Sequence, residues 1–276
     1  MKSLKNCFAT IATVSALAAA GSANATLTNW YLDTDGAGGN APVLVKDYID
    51  LTGTAYAHNT FSSASNFTFK ESGLFSALTA DGGPDSLGSD LDPRLSATFA
   101  GSGSGVVGGL LNFANGTLVV KSGLSSGSGP IIGNFTLLTG SALLNSGTVL
   151  PNGDVSLIFR ATSLATGYFF DSSMHDLAGL LADGALEFGF ATTNVISRAK
   201  FDPTTGLPTV NVAAPLITLY NTAFGTALGT VPANNTTDLY LSNNGQFRLA
   251  VPEPGSLALL GIGLLGFAGL RRRRND

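Results

Sequence analysis

Apolar and polar residues alternate along much of the chain, in short segments that Gly-rich turns separate. From Ile49 to Ala55 the odd-numbered residues are apolar or small, whereas the even-numbered residues from Tyr48 to Tyr56 are tyrosine or polar. Alternation with a period of two predicts a β-strand with one buried face. Strands are predicted at residues 43–56, 66–70, 95–100, 131–138, 185–192 and 216–220.

Three Asn-Gly pairs lie between apolar or β-branched segments, at residues 115–116, 152–153 and 244–245. Asn and Gly tolerate the positive φ angles that a type I′ turn requires at both central positions. Each pair therefore predicts a β-hairpin.

Regularly spaced short strands with Gly-rich turns predict an all-β exported body, a β-sandwich of jelly-roll type. A β-solenoid is the alternative, although the chain shows no fixed repeat length. One short helix is predicted around residues 172–182, ended by Asp183 and Gly184. The Gly-Ser runs at 101–105 and 122–129 are predicted to be hairpin loops or, alternatively, a linker between two halves.

Residues 1–25 have the parts of a secretory signal peptide. A basic start precedes an apolar stretch at residues 8–20, and Ala23-Asn24-Ala25 is an A-x-A cleavage site. Signal peptidase and the Sec translocon are therefore expected partners, and the mature chain is expected to begin at Thr26. An uncleaved N-terminal membrane anchor is the alternative. The one cysteine, Cys7, lies in this segment, so the mature chain would contain no disulfide.

Residues 251–276 combine a Pro-Glu-Pro sequence, an apolar stretch and a cluster of arginines. The apolar stretch 257–270 would form a helix about 21 Å long. That is shorter than the hydrocarbon core of a bilayer, but flanking small residues and snorkelling arginines would let the helix cross it. The arginines would remain on the cytoplasmic side. They are Arg271, Arg272, Arg273 and Arg274.

These three parts, in this order, resemble the PEP-CTERM sorting signal of Gram-negative bacteria. The sorting residues would be Pro252, Glu253 and Pro254, followed by the transmembrane helix and the arginines. The resemblance implies that a membrane enzyme, an exosortase, recognises the signal and removes the tail. The protein would cross the inner membrane, be anchored there transiently, and then reach the cell surface or extracellular matrix. A plain single-pass tail anchor is the alternative.

Composition narrows the possible function classes. Charged residues make up 12% of the 276-residue chain, and apolar residues make up 44%. Residues 26–250 contain eight Lys and Arg side chains and sixteen Asp and Glu side chains, a net charge of about −8. An acidic body argues against a nucleic-acid binder, and the apolar content argues against charge-driven disorder.

Candidate metal ligands are few. Asp33, Asp35 and Gly36 resemble the start of an EF-hand loop, but no further ligand follows at the required spacing. Asp33 and Asp35 are therefore calcium candidates or, alternatively, solvated turn residues. A second acidic loop covers residues 81–92. No cofactor is predicted.

Candidate catalytic residues are also few. His175 and Asp176 could form half of a catalytic triad, with Ser172 and Ser173 nearby, but the chain contains no G-x-S-x-G sequence. His58 stands alone, and Glu187 has no second carboxylate close in sequence, although paired glycosidase acids can lie far apart. No catalytic residue is predicted. Most of the many Phe and Tyr side chains are expected in the core, and exposed ones could stack on sugar rings.

Four short stretches of the body are similar to a flocculation-associated subgroup of PEP-CTERM proteins: residues 50–54, 95–99, 165–171 and 191–194. This similarity implies a non-enzymatic matrix protein that helps cells aggregate into flocs or biofilm within exopolysaccharide. Abundant Ser and Thr further suggest a glycoprotein. A secreted hydrolase acting on matrix polysaccharide is the alternative.

Overall fold

A computed structural model describes residues 24–36, 41–83, 87–89, 92–93, 95–123, 129–145, 152–183, 186–197, 204–205, 211–232 and 238–252. The chain divides into two compact units. One unit is Thr26–Leu249, and the other consists of the terminal segments Met1–Ala25 and Ala250–Asp276. The predicted transmembrane helix 257–270 and the apolar part of the predicted signal helix lie outside the described residues. Within those residues, no helix has the length and apolar character needed to cross a membrane.

Almost all of the described structure is β. The strands are β1 (Asn24–Thr26), β2 (Trp30–Leu32), β3 (Val43–Val45), β4 (Ile49–Phe61), β5 (Asn66–Ala80), β6 (Gly88–Ser89), β7 (Asp92–Pro93), β8 (Leu95–Val106), β9 (Leu110–Ser122), β10 (Ile131–Asn145), β11 (Asn152–Leu164), β12 (Phe169–Phe170), β13 (Glu187–Ser197) and β14 (Asp238–Pro252). A 3₁₀ helix covers Leu177–Asp183, and helix α1 covers Ala214–Phe224.

Eight long strands form one closed barrel. Each strand pairs with the next in the order β4, β5, β8, β9, β10, β11, β13 and β14. Strand β14 then pairs with β4 over ten positions, from Asp238 opposite His58 to Phe247 opposite Ile49. The prediction of a mostly β body is confirmed, but the prediction of a sandwich is wrong. Pairing of the last strand with the first closes one sheet on itself, so no second sheet is needed to cover exposed edges.

The Asn-Gly pairs do not form the predicted hairpins. Asn115 and Gly116 lie inside β9, Asn244 and Gly245 lie inside β14, and Asn152 begins β11. None of these residues has the positive φ that a type I′ turn requires. The ring of Phe99 lies against Gly116, where a Cβ atom would come within 2.9 Å of Phe99 Cε2. Ring packing, rather than turn formation, therefore accounts for glycine at this position.

The Gly-Ser run at 101–105 is likewise part of β8 and not the predicted loop or linker. The run itself alternates, with glycine facing the barrel interior and serine facing outward. A Cβ atom at Gly103 would lie 2.7 Å from Phe69 Cζ, and one at Gly105 would lie 3.0 Å from Phe67 Cζ. Glycine on one strand thus makes room for Phe rings from its neighbour, as in aromatic rescue of strand glycines.

Helix α1 corrects another prediction, the strand at 216–220. A proline occupies the first turn of the helix, and Gly225 ends it with a left-handed backbone, φ 62°. The buried side chains Leu216, Ile217 and Tyr220 have helical spacing and pack on Tyr56 and Tyr240, outside the barrel. The helix predicted around 172–182 is confirmed in part as the 3₁₀ helix Leu177–Asp183.

Candidate functional site

The barrel interior contains a cavity of about 60 Å³. A single buried water needs roughly 10–15 Å³ by such a measure, so the cavity has room for several waters or a few heavy atoms of a ligand. Its walls are mainly aromatic. Inward-facing rings include those of Phe67, Phe69, Phe75, Phe99, Phe113, Phe159, Phe188, Phe190 and Phe247.

The Phe rings pack edge to face and fill most of the lumen. The centroids of Phe69 and Phe113 are 4.9 Å apart, and Phe99 lies 5.8 Å from Phe113 and 6.0 Å from Phe159. Such arrangements add to the stability that area burial provides. At one end of the lumen, Phe169 of the small sheet β12-β2-β3 also lines the cavity and stacks on the buried Trp30.

Glu71 is the one titratable residue among the described residues that line this cavity. It lies in β5, directly opposite Ala57 of β4 and Gly101 of β8. The Glu71 side chain lines the cavity beside the small side chain of Ala57, whereas the Phe99 ring lies against Gly101. Burial raises the pKa of Glu71 to about 7, since an apolar environment disfavours the charged form.

Two amide side chains add polarity to the apolar lumen. Asn59 of β4 is buried and lies diagonally across from Glu71, because it pairs with Phe69 two positions away. Asn243 of β14 is also buried, and its Oδ1 has no hydrogen-bond partner in the described part of the chain. Polar groups in an otherwise apolar cavity are the usual features of a ligand site.

A second polar cluster lies outside the lumen, beneath α1. The Tyr56 hydroxyl donates to Asp238 Oδ2 at 3.0 Å, and His58 Nδ1 lies 2.6 Å from Asp238 Oδ1. Burial raises the pKa of Tyr56, and the Asp238 charge raises it further. Burial, with a smaller contribution from Asp238, raises the pKa of Tyr220 to about 12. Both tyrosines are therefore neutral at physiological pH.

This cluster holds the barrel closed. Asp238 belongs to β14, and Tyr56 and His58 belong to β4, so these side chains join the two strands that complete the barrel. The Asp238 carboxylate thus orients the His58 ring through Nδ1.

The other catalytic candidates make separate contacts. His175 Nδ1 lies 3.1 Å from Asp171 Oδ2 rather than contacting Asp176, whose carboxylate accepts N–H groups of Gly167 and Ala178. The hydrogen bond from the His175 backbone, with smaller contributions from the His175 side chain and the Ser173 backbone, lowers the pKa of Asp171 against the opposing effect of burial. Glu187 lies 3.9 Å from Arg160 on the neighbouring strand.

Asp33 and Asp35, the calcium candidates, occupy a tight turn. Asp33 Oδ1 accepts the N–H groups of Asp35 and Gly36, each at 3.0 Å. The Gly36 backbone has φ 65° and lies against the Tyr168 ring, so this turn needs glycine. Within the described residues, no group of three His, Cys, Asp or Glu side chains is placed to hold a metal ion.

In the second acidic loop, Asp81 fixes the start of β4. Its carboxylate accepts the backbone N–H groups of Lys46, Asp47 and Tyr48 at 2.7–3.1 Å. Burial acts to raise the pKa of Asp81, but these hydrogen bonds outweigh it and the pKa is lowered. Asp81 is therefore a turn-stabilising residue.

The predicted processing residues are mostly outside the described part of the chain. Pro252 ends β14, and Ala25 lies in β1. Glu253, Pro254, Arg271–Arg274 and Ala23 lie outside the described residues.

Comparison with known families identifies the C-terminal segment. Residues 250–274 match the family described as the PEP-CTERM protein-sorting motif. The chain carries a PEP-CTERM sorting motif. The predicted resemblance to the PEP-CTERM sorting signal is thus confirmed, and the motif indicates an exported protein that an exosortase sorts through a transient C-terminal membrane anchor. The flocculation-associated subgroup is not confirmed. No curated protein and no solved structure matches the chain.

Sequence reasoning overlooked Glu71 and Asp238. Glu71 continues the inward positions of Phe67 and Phe69, so the period-two pattern of residues 66–70, extended by one position, would have placed it in the core. Asp238 is separated from His58 by 180 positions. No local pattern links the two residues, so only closure of the barrel brings them together.

Proposed function

We propose that this protein is a non-catalytic structural or adhesive component of the cell surface or extracellular matrix, which promotes aggregation of cells in flocs or biofilm. The observation that carries the proposal is the sorting motif at residues 250–274. A sorted, displayed protein is present in many copies on one cell. Weak contacts made by many copies are sufficient for adhesion, because multivalency raises the effective concentration of each contact.

The outer wall of the barrel suits contact with a neutral, hydroxyl-rich polymer such as exopolysaccharide. It presents uncharged hydrogen-bonding side chains on adjacent strands. Ser102 Oγ donates to Asn115 Oδ1 at 2.9 Å, and Asn134 Nδ2 donates to Ser163 Oγ at 2.7 Å. Each of these groups has further donor or acceptor capacity for a partner. The same hydroxyl groups are sites at which glycans could be attached, as expected for a glycoprotein.

One end of the barrel also exposes a row of aliphatic side chains, called here the aliphatic row. Leu110 of β9 pairs with Leu143 of β10, and both are about half exposed. Val106 and Val107 lie beside Leu110 in the β8–β9 turn and are similarly exposed. Adjacent exposed apolar residues are typical of contact surfaces, unlike isolated ones.

Deletion and complementation test the proposal. Cells lacking the gene should grow normally but disperse, and the full-length gene should restore aggregation. A chain lacking residues 252–276 should not restore it, because the protein would not be displayed. Normal aggregation of the deletion strain would refute the adhesive role.

Substitutions at exposed positions test whether the aliphatic row is the surface that promotes aggregation. The double change Leu110→Ser and Leu143→Ser should weaken aggregation. Ile131→Ser, which changes an equally exposed residue at the opposite end of β10, should leave aggregation unchanged. Loss of aggregation in His175→Ala or Glu187→Ala, with normal folding and display, would instead favour the hydrolase.

A further inference from the structure

The lumen around Glu71 has the features of a binding site for a cation. The Glu71 carboxyl group faces an apolar cavity, and no side chain among the described residues donates a hydrogen bond to it or pairs with its charge. No Lys, Arg or His is among the described residues that line the cavity. A carboxylate in such surroundings is costly unless a donor or cation joins it.

The shape of the wall also indicates a ligand. Ala57 and Gly101 flank Glu71, and Gly116 follows next to Gly101 on β9. The Phe99 ring lies against Gly101 and Gly116, so the small side chain that borders the cavity beside the Glu71 carboxyl group is that of Ala57. The rings of Phe69 and Phe99 also line the cavity, and the faces of aromatic rings attract cations.

We propose that the barrel lumen binds a small organic amine, with its ammonium group on the Glu71 carboxylate and its apolar body among the Phe rings. The cavity volume of about 60 Å³ limits the ligand to a few heavy atoms. Asn59, diagonally across from Glu71, supplies a further acceptor for the ammonium protons. This site is separate from the outer surfaces considered for adhesion, and neither proposal depends on the other.

Saturation-transfer NMR on the full chain, kept in a nonionic detergent without amine groups, tests the site with n-butylamine and n-butanol at pH 8. Butylamine should receive saturation from the Phe protons and bind more tightly than butanol. Glu71→Gln keeps the side-chain shape but removes the charge, and should weaken butylamine binding about tenfold or more. Ala57→Leu, which fills space beside Glu71 and keeps its charge, should also weaken binding.

Glu187→Gln is the matched control, because Glu187 is a buried acid on β13 that does not line the cavity. Butylamine binding should be unchanged in this variant. The proposal is overturned if butylamine receives no saturation, if butanol binds equally well, or if Glu71→Gln and Ala57→Leu both bind butylamine like the parent protein. It is also overturned if Glu187→Gln weakens binding as much as Glu71→Gln does.

Discussion

Replacing Gly103 by alanine tests the packing of glycine against Phe rings inside the barrel. An added Cβ atom would lie 2.0 Å from the Asn112 carbonyl oxygen and 2.7 Å from Phe69 Cζ. The first contact involves backbone, so strands β8 and β9 would have to move apart. Overpacking of this kind costs about 1–3 kcal/mol, and Gly103→Ala should fall at the upper end of that range.

Two further Gly→Ala variants should differ from Gly103→Ala in their effect on stability. At Gly101 the nearest atom is Phe99 Cζ at 2.5 Å, the far end of a side chain, and the nearest backbone atom is the Asn115 carbonyl oxygen at 3.0 Å, so Gly101→Ala should cost less than Gly103→Ala. At Gly189, also in a barrel strand, the nearest atom is the Arg248 carbonyl oxygen at 3.9 Å. Gly189→Ala should stabilise the protein by about 0.4–1 kcal/mol, because alanine lowers the entropy of the unfolded chain.

Urea and thermal unfolding of the full chain, followed by circular dichroism, measure these differences. A cost of about 1–3 kcal/mol corresponds to a melting temperature roughly 2–12 °C lower for a body of this size. The expected order of stability is Gly189→Ala above the parent protein, then Gly101→Ala, then Gly103→Ala. If Gly103→Ala were as stable as Gly189→Ala, the inward packing of the Gly-Ser run would be refuted.

Three other predictions concern charge and hydrogen bonding. Burial raises the pKa of Glu71 from 4.5 to about 7. The unfolded chain therefore loses this proton at a lower pH than the folded chain does. The resulting loss of folding stability is absent below pH 4.5, grows between pH 4.5 and 7, and is complete above pH 7. Glu71→Gln should consequently raise the free energy of unfolding by about 1–3 kcal/mol at pH 8 and leave it unchanged at pH 4, as measured by urea titration at both values. Tyr56→Phe removes a hydrogen-bond donor from the buried Asp238 and should lower the urea midpoint by an amount equivalent to about 1–3 kcal/mol. His175→Ala, which breaks an exposed pair, should cost less than about 0.5 kcal/mol of stability. Equal losses of stability in the two variants would contradict a role of the Asp238 cluster in closing the barrel. Replacing Arg271–Arg274 by Ser should reduce retention in the membrane fraction, because the charge asymmetry that orients the tail is lost. Mass spectrometry of the mature, matrix-located protein tests exosortase processing, and intact tail peptides in that protein would contradict it.

The sequence alone determined the features that depend on local pattern. The sorting motif is contiguous, and its prolines, apolar stretch and arginines act through their own chemistry, so family comparison confirmed it directly. Period-two alternation assigned the two faces of residues 49–56 correctly, with Ile49 and Leu51 inward and Tyr56 outward, although the strand predicted at 43–56 is two strands, β3 and β4. In each case the physical signal lies within a few residues of the feature that it predicts.

Tertiary structure decided the features that depend on contacts with residues distant in sequence. Asn115-Gly116 has turn chemistry, yet it forms strand because the Phe99 ring occupies the space beside Gly116. Residues 216–220 became helix α1 because their buried face packs on Tyr56 and Tyr240 from distant strands. Glu71 has a raised pKa because closure of the barrel surrounds it with apolar residues. Ring packing, burial and barrel closure are contacts between distant segments, and no local pattern of apolar and polar residues encodes them.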